Sequence, residues 1–181
     1  MIQKTLLITR PFYENPTNYL YHWSSPLIDF AKTKGFKVVD LAGKKAVRDE
    51  FEGRLKKVKP DLVVLNGHGS ENEIFGQDGE ALLVMGENET LLADKIVFAR
   101  SCLSAKAFGK SCVNKGTRTY IGYSEDFIFI SENAYITKPL MDKTAALFLE
   151  PSDQTIRSLL KGNSTGQSNE SGKALFLKNI L

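Results

Sequence analysis

Cysteine and histidine are nearly absent from this 181-residue chain: two of each, Cys102 and Cys112, His22 and His68. Four scattered side chains of these types supply no closed Cys/His zinc site, and two cysteines make no disulfide framework. No metal site and no cofactor is therefore expected. No run of about 18 apolar residues occurs, so no transmembrane helix is expected. The start of the chain (Met1-Ile2-Gln3-Lys4) leads straight into a strand-like run rather than a signal-peptide core, which makes the cytoplasm the expected compartment. Charge of one sign is scarce too: 24 Lys and Arg against 21 Asp and Glu leave a net +3. That is too little to indicate nucleic acid in the absence of a local basic patch. Neither nucleic acid nor membrane is an expected partner. Any chemistry that needs imidazole or thiol has to draw on a list of four.

What is present is an ordinary globular composition, 42% hydrophobic and 25% charged. The length suits one domain spanning 1–181. Short apolar runs alternate with amphipathic stretches, the pattern of a parallel α/β sheet. Strands are expected at Thr5–Thr9, Phe36–Leu41, Leu62–Leu65, Ile96–Ala99 and Thr119–Gly122, with a short sixth at Phe127–Ile130. Helices are expected at Asn18–Lys34 (kinked by Pro26), Lys44–Val58, Ser104–Lys115, Lys138–Leu149 and about Asp153–Leu160. Asp78-Gly79, between two short β-like runs in 72–85, signals a hairpin. Residues 162–172 contain no apolar side chain and read as a mobile loop.

Open parallel sheets gather their reactive groups at the carboxyl ends of the strands. The third expected strand runs into Asn66-Gly67-His68-Gly69-Ser70 and the fourth into Arg100-Ser101-Cys102. If these strands are neighbours, His68 and Cys102 share one rim. A thiol beside an imidazole is a nucleophile beside its base, because the thiolate is the attacking form. The N–H groups of Gly69 and Cys102 are then placed to receive the oxyanion of an acyl-transfer intermediate. Cys112, inside an expected helix, reads as a buried apolar residue, and His22, between Tyr21 and Trp23, as a packed or surface side chain.

These residues carry a family resemblance. A strand ending in His-Gly, a hairpin, and a strand ending in Cys resemble the caspase-type cysteine peptidases, a group that includes caspases, gingipains, clostripain, legumain, separase and the bacterial CHAT domains. The stretch His68-Gly69-Ser70-Glu71-Asn72-Glu73-Ile74-Phe75-Gly76-Gln77-Asp78-Gly79 is similar to the caspase segment in which His-Gly precedes an Ile-Tyr-Gly-x-Asp-Gly hairpin, and Ile96–Cys102 is similar to the strand leading to the caspase nucleophile. The match covers residues 62–102. The chain departs from caspases in having Arg100-Ser101-Cys102 for Gln-Ala-Cys and 34 residues between His68 and Cys102, against about 50. It is closer in form to a compact bacterial-type member. The resemblance implies a three-layer α/β/α sandwich with a mostly parallel sheet of about six strands. It also implies a cysteine endopeptidase working through an acyl-enzyme on a protein or peptide substrate, with a regulatory partner or a homodimer as further associations. Cys102 would be nucleophile, His68 general base and acid, Gly69 and Cys102 the oxyanion donors. The residue two before the nucleophile lines the pocket for the side chain preceding the cleaved bond, which here is Arg100.

Strand alternation puts Arg100 on the face of Cys102, so an acidic substrate side chain is favoured there. Arg10, at the end of the first strand, and Ser101 are candidate helpers. Glu125 and Asp126 follow the fifth strand and are placed either to neutralise Arg100 in a structural ion pair or to turn the preference toward basic residues. Two other function classes stay open: a catalytically idle or regulator-dependent scaffold, and a flavodoxin-like module binding a small molecule or nucleotide through Asn66–Glu71. The second lacks either phosphate-loop glycine pattern. A serine hydrolase is disfavoured by the lack of a Gly-x-Ser-x-Gly elbow.

Overall fold

The computed structural model describes residues 3–181. In chain order β1 (Thr5–Arg10) is followed by α1 (Asn15–Trp23), α2 (Ser25–Thr33), β2 (Lys37–Ala42), α3 (Arg48–Val58), β3 (Leu62–Asn66), β4 (Glu73–Phe75), β5 (Ala81–Val84), β6 (Ile96–Arg100), α4 (Phe108–Asn114), β7 (Thr119–Ile121), α5 (Lys143–Leu160) and α6 (Thr165–Ile180). Five strands form one parallel sheet in the order β2-β1-β3-β6-β7, and β4 and β5 form a separate antiparallel hairpin. The result is a three-layer α/β/α fold. Among the described residues no helix is long and apolar enough to cross a membrane.

Alternation along the strands divides the core in two. Leu7, Val63, Leu65, Val97 and Ala99 face Phe51 and Leu55 of α3, Phe108 and Cys112 of α4, and the hairpin. Leu6, Ile8, Leu62, Val64 and Phe98 face Leu27 and Ile28 of α2 and Ile156, Leu159 and Leu160 of α5. The period of two decides which layer each later residue of β6 meets. Arg100 continues the Phe98 side, toward α5.

Several expectations need correction. The stretch 18–34 is two helices, α1 and α2, meeting at Ser24, whose hydroxyl donates to the Leu20 carbonyl at 2.7 Å. Pro26 lacks an N–H and so sits in the first turn of a new helix rather than inside a continuous one. The helix expected from Ser104 begins only at Phe108, and Val47 and Val58 are half-buried while Phe51 and Leu55 carry the buried face of α3. Phe127–Ile130, expected as a short sixth strand, pairs with no strand among the described residues, where the parallel sheet has five strands.

Pro151 does not divide the region after 138. It lies inside α5, and the Leu147 carbonyl that it cannot serve accepts instead from Asn179 Nδ2 of α6 at 2.7 Å. Residues 162–172 are not a loop. From Thr165 onward they form α6, opened by a reciprocal capping box between Ser164 and Gln167. The lack of apolar residues reflects how the helix docks. Ser168 Oγ meets Ser158 Oγ at 3.1 Å, and a Cβ on Gly172 would fall 2.1 Å from Thr155 Oγ1. Small polar residues let the two helices approach closely where leucines would have held them apart.

Candidate active site

The register of β3 on β6 runs to Asn66 opposite Arg100, and past those strand ends the chain leads to His68 and Cys102, which line one cavity. Gly67 takes the chain out of the strand at φ 141°, and a Cβ there would lie 2.4 Å from the Phe75 carbonyl oxygen. Only glycine fits. The hairpin then fixes the next residues: Phe75 N–H donates to the His68 carbonyl at 3.0 Å and Ser70 N–H to the Glu73 carbonyl at 2.9 Å. Gly69 and Ile74, between those bonds, are a non-hydrogen-bonded antiparallel pair, so the Gly69 N–H points away from the hairpin. On its other side Gly69 packs against the end of β6, where an added Cβ would sit 2.7 Å from the Cys102 carbonyl oxygen and 3.3 Å from its nitrogen. Among the described residues neither the Gly69 nor the Cys102 N–H has a protein acceptor.

Cys102 is half-buried, 4.0 Å from the Phe127 carbonyl oxygen. Burial pushes its thiol above the ordinary range, and the Asp126 carboxylate adds to that. The resting side chain is a thiol, and deprotonation falls to a base. His68 does not hydrogen-bond to it. Its Nε2 is held by Glu14, the residue capping α1, and both side chains are nearly half exposed. That leaves Nδ1 as the nitrogen free to face Cys102. In front of the pair lies a cavity of about 260 Å³, lined by His68, Arg100 and Cys102 and walled by Leu20, Phe127 and Phe129.

Arg100 lines this cavity and is fully buried. Its Nε donates to Ser152 Oγ at 2.9 Å and its Nη2 pairs with Asp153, both on α5. Nη1 is buried without a partner. Burial lifts the Asp153 carboxyl to about 6 against the pull of Arg100. The expected partners of Arg100 are corrected by this geometry. Glu125 and Asp126 are exposed and line a second hollow, beside α6, with Asp126 close enough to the Cys102 thiol to raise it. Arg10 is also outside the site: Nε and Nη2 bind both oxygens of Asp40, Nη1 reaches the Tyr21 carbonyl and Ser25 Oγ, and the guanidinium stacks on Tyr21. Ser101 lines the cavity, though its hydroxyl is buried and unpartnered.

Cys112 is fully buried, its thiol pushed up to about 12, and His22 packs against Phe12 and Tyr21. Among the described residues no cluster of His, Cys, Asp and Glu could hold a metal ion. Sequence reasoning missed Glu14, Ser152 and Asp153. Glu14 left a signal, since it lies in the loop after β1, on the rim that carries the other two strand ends. Ser152 and Asp153 left none, being 52 and 53 residues from Arg100.

No protein-family model matches the chain, and no curated protein is a significant match. Among solved structures, one similar chain is the response regulator domain of Thermotoga maritima CheB, with 15% sequence identity and a TM-score of 0.37, the alignment covering 83% of this chain and 98% of that one.

Proposed function

We propose that the chain is a cysteine endopeptidase of the caspase-like type, with Cys102 as nucleophile and His68 as base. The observation that supports this reading is the cavity beyond β3 and β6, which His68 and Cys102 both line, with Gly69 packed against the Cys102 backbone. In the reaction the Cys102 proton passes to His68 Nδ1 as sulfur attacks the scissile carbonyl. The oxyanion takes hydrogen bonds from the Gly69 and Cys102 N–H groups. His68 then gives the proton to the departing amine, and water cleaves the thioester by the same route in reverse.

The unpaired stretch Phe127–Ile130 supports a peptide substrate in particular. Among the described residues the backbone from Ile128 to Ser131 makes no hydrogen bond, and Ile128 and Ile130 are exposed. An extended peptide can add to it as a strand, which brings its scissile bond alongside Cys102. Arg100 Nη1 offers a donor to the side chain preceding that bond. Because Asp153 already meets the charge of Arg100, the pocket presents an N–H rather than an uncompensated cation. Acidic side chains are favoured by that hydrogen bond. A regulator-dependent enzyme is the second reading, favoured by the burial that raises the Cys102 thiol and by the lack, among the described residues, of a hydrogen bond between His68 and Cys102.

The test is a fluorogenic peptide library varied at the residue before the cleaved bond. Wild type should cleave Asp or Glu substrates best, and Cys102→Ala should lose about three orders of magnitude or more in kcat/KM. Equal turnover by wild type and Cys102→Ala refutes the reading. An inactive wild type whose Cys102 still reacts with a peptide electrophile selects the regulator-dependent form.

A further inference from the structure

The strands start at one end of the molecule and finish at the other, and the candidate site occupies the finishing end. At the starting end a cation precedes or opens every strand of the sheet: Lys4 for β1, Lys37 for β2, Lys59 for β3, Lys95 for β6 and Arg118 for β7. The strand order sets them in one row, Lys37, Lys4, Lys59, Lys95, Arg118. With neighbouring strands about 4.8 Å apart, the row is about 19 Å long. Four of the side chains are exposed and Lys95 is half-buried. None forms a salt bridge among the described residues.

Lysines at helix ends have a structural explanation. Lys32 of α2 and Lys56 and Lys57 of α3 complement the negative ends of their helices. Strands carry only small net dipoles, so that argument does not cover the row. Less Asp61 and Asp94 beside them, the five cations leave this edge a net +3, as much as the whole chain carries. The row also has a concavity, a hollow of about 360 Å³ lined by Lys56, Lys59 and Lys95. Burial pushes the Lys95 ammonium down, and neighbouring Lys59 pushes the same way. Of the acids here, Asp61 is tied to the Thr5 N–H at 2.8 Å, and Asp94 is the carboxylate in the hollow. Large exposed apolar side chains lie mostly elsewhere, after β7 and at the end of α6, with Val113 the one close to this edge. A lipid surface would call for apolar insertion beside the charge.

We infer that this basic edge binds the phosphodiester backbone of a nucleic acid, without regard to base sequence. At about 3.4 Å per phosphate along one strand, the row faces roughly five or six phosphates. Lysine contacts of this kind fix position and carry no sequence readout. The inference is independent of the peptidase reading, since it rests on the opposite end of the sheet.

The experiment is fluorescence anisotropy of the full chain with labelled oligonucleotides of about 20 nucleotides, single-stranded and duplex, from about 50 to 200 mM salt. Binding should weaken by about two orders of magnitude across that range for duplex, with a log–log slope near −4, and near −3 for the single strand. Lys4→Gln/Lys37→Gln/Lys95→Gln/Arg118→Gln should flatten the duplex slope by about three units. Lys37→Glu/Arg118→Glu, both exposed, should flatten it by about two and serves if the larger variant fails to fold. Lys44→Gln/Lys45→Gln, exposed just beyond the finishing end of β2, should change nothing. No binding at the lowest salt overturns the inference, as does an equal loss in the Lys44/Lys45 variant. Binding to phosphatidylserine vesicles with none to either oligonucleotide overturns it in favour of a membrane.

Discussion

Gly69→Ala adds one methyl group at the joint between the two halves of the candidate site. The new Cβ would lie 2.7 Å from both the Cys102 carbonyl oxygen and Ser101 Cβ, where ordinary contact begins near 3.4 Å. Gly69 does not have a positive φ, so the substitution brings no backbone strain and its effect is steric. Those atoms belong to the end of a packed strand and its first turn, so they cannot swing aside as a lysine tip would. Relief requires the His68 and Cys102 rims to part by about 0.7 Å. A misplacement of about 1 Å costs roughly a hundredfold in rate, so kcat/KM should fall about 10- to 100-fold, or about 1.4 to 2.7 kcal/mol of transition-state stabilisation. Overpacking should lower stability by about 1 to 3 kcal/mol. Steady-state kinetics on a cleaved peptide and a denaturant melt measure the two effects separately. Gly53→Ala is the control: it lies inside α3 with nothing within 4 Å of the added methyl and should gain about 0.5 to 1 kcal/mol with unchanged turnover. Wild-type kcat/KM in Gly69→Ala would show that the two strand ends do not form a shared site, and the oxyanion assignment would go with them.

Glu14→Gln should lower kcat about tenfold with little change in KM, because Glu14 orients the imidazole without touching substrate, and Glu14→Asp should recover part of the loss. A change in KM alone would refute that role. Gly172→Ala puts a methyl 2.1 Å from Thr155 Oγ1 and 2.9 Å from the Pro151 carbonyl, so it should cost about 1 to 3 kcal/mol and deprotect α6 in hydrogen exchange while the sheet stays protected. With burial raising both thiols, alkylation of Cys102 in the free enzyme should climb only above the ordinary thiol pKa of about 8.5, and Cys112 should stay unreactive until the protein unfolds. Fast alkylation of Cys102 at neutral pH without substrate would contradict the resting-thiol state.

The five sheet strands were legible as short runs with turn residues on both sides, of which β1, β3 and β6 are buried almost throughout while the edge strands β2 and β7 are half-buried. The failures share a cause. Phe127–Ile130 has strand composition, yet a strand needs a neighbour, and composition says nothing about whether an edge is available. α6 has no apolar stripe in its first turns because its contact with α5 is made through Ser168 and Gly172, so periodicity had nothing to detect. The helices expected at Lys138–Leu149 and Asp153–Leu160 are one, because the carbonyl that Pro151 orphans is served by Asn179, 32 residues away. In each case a tertiary partner supplied what local sequence lacked.

The same division runs through the site. That His68, Gly69 and Cys102 gather at one end of the sheet was legible because they follow two strands, β3 and β6, that are neighbours. The partners of those residues are not local. Alternation correctly put Arg100 on the face of Cys102, but that face is covered by α5, and the helix brings Asp153 into the position that Glu125 or Asp126 was expected to take. The consequence for specificity is physical. An arginine without a partner would select an acidic side chain by charge, over a distance and under screening by salt. An arginine neutralised by Asp153, with its Nη1 amino group left over, selects by directed hydrogen bonds that work only when the acceptor is seated. Discrimination of acid from amide at that position should therefore be modest and nearly independent of ionic strength.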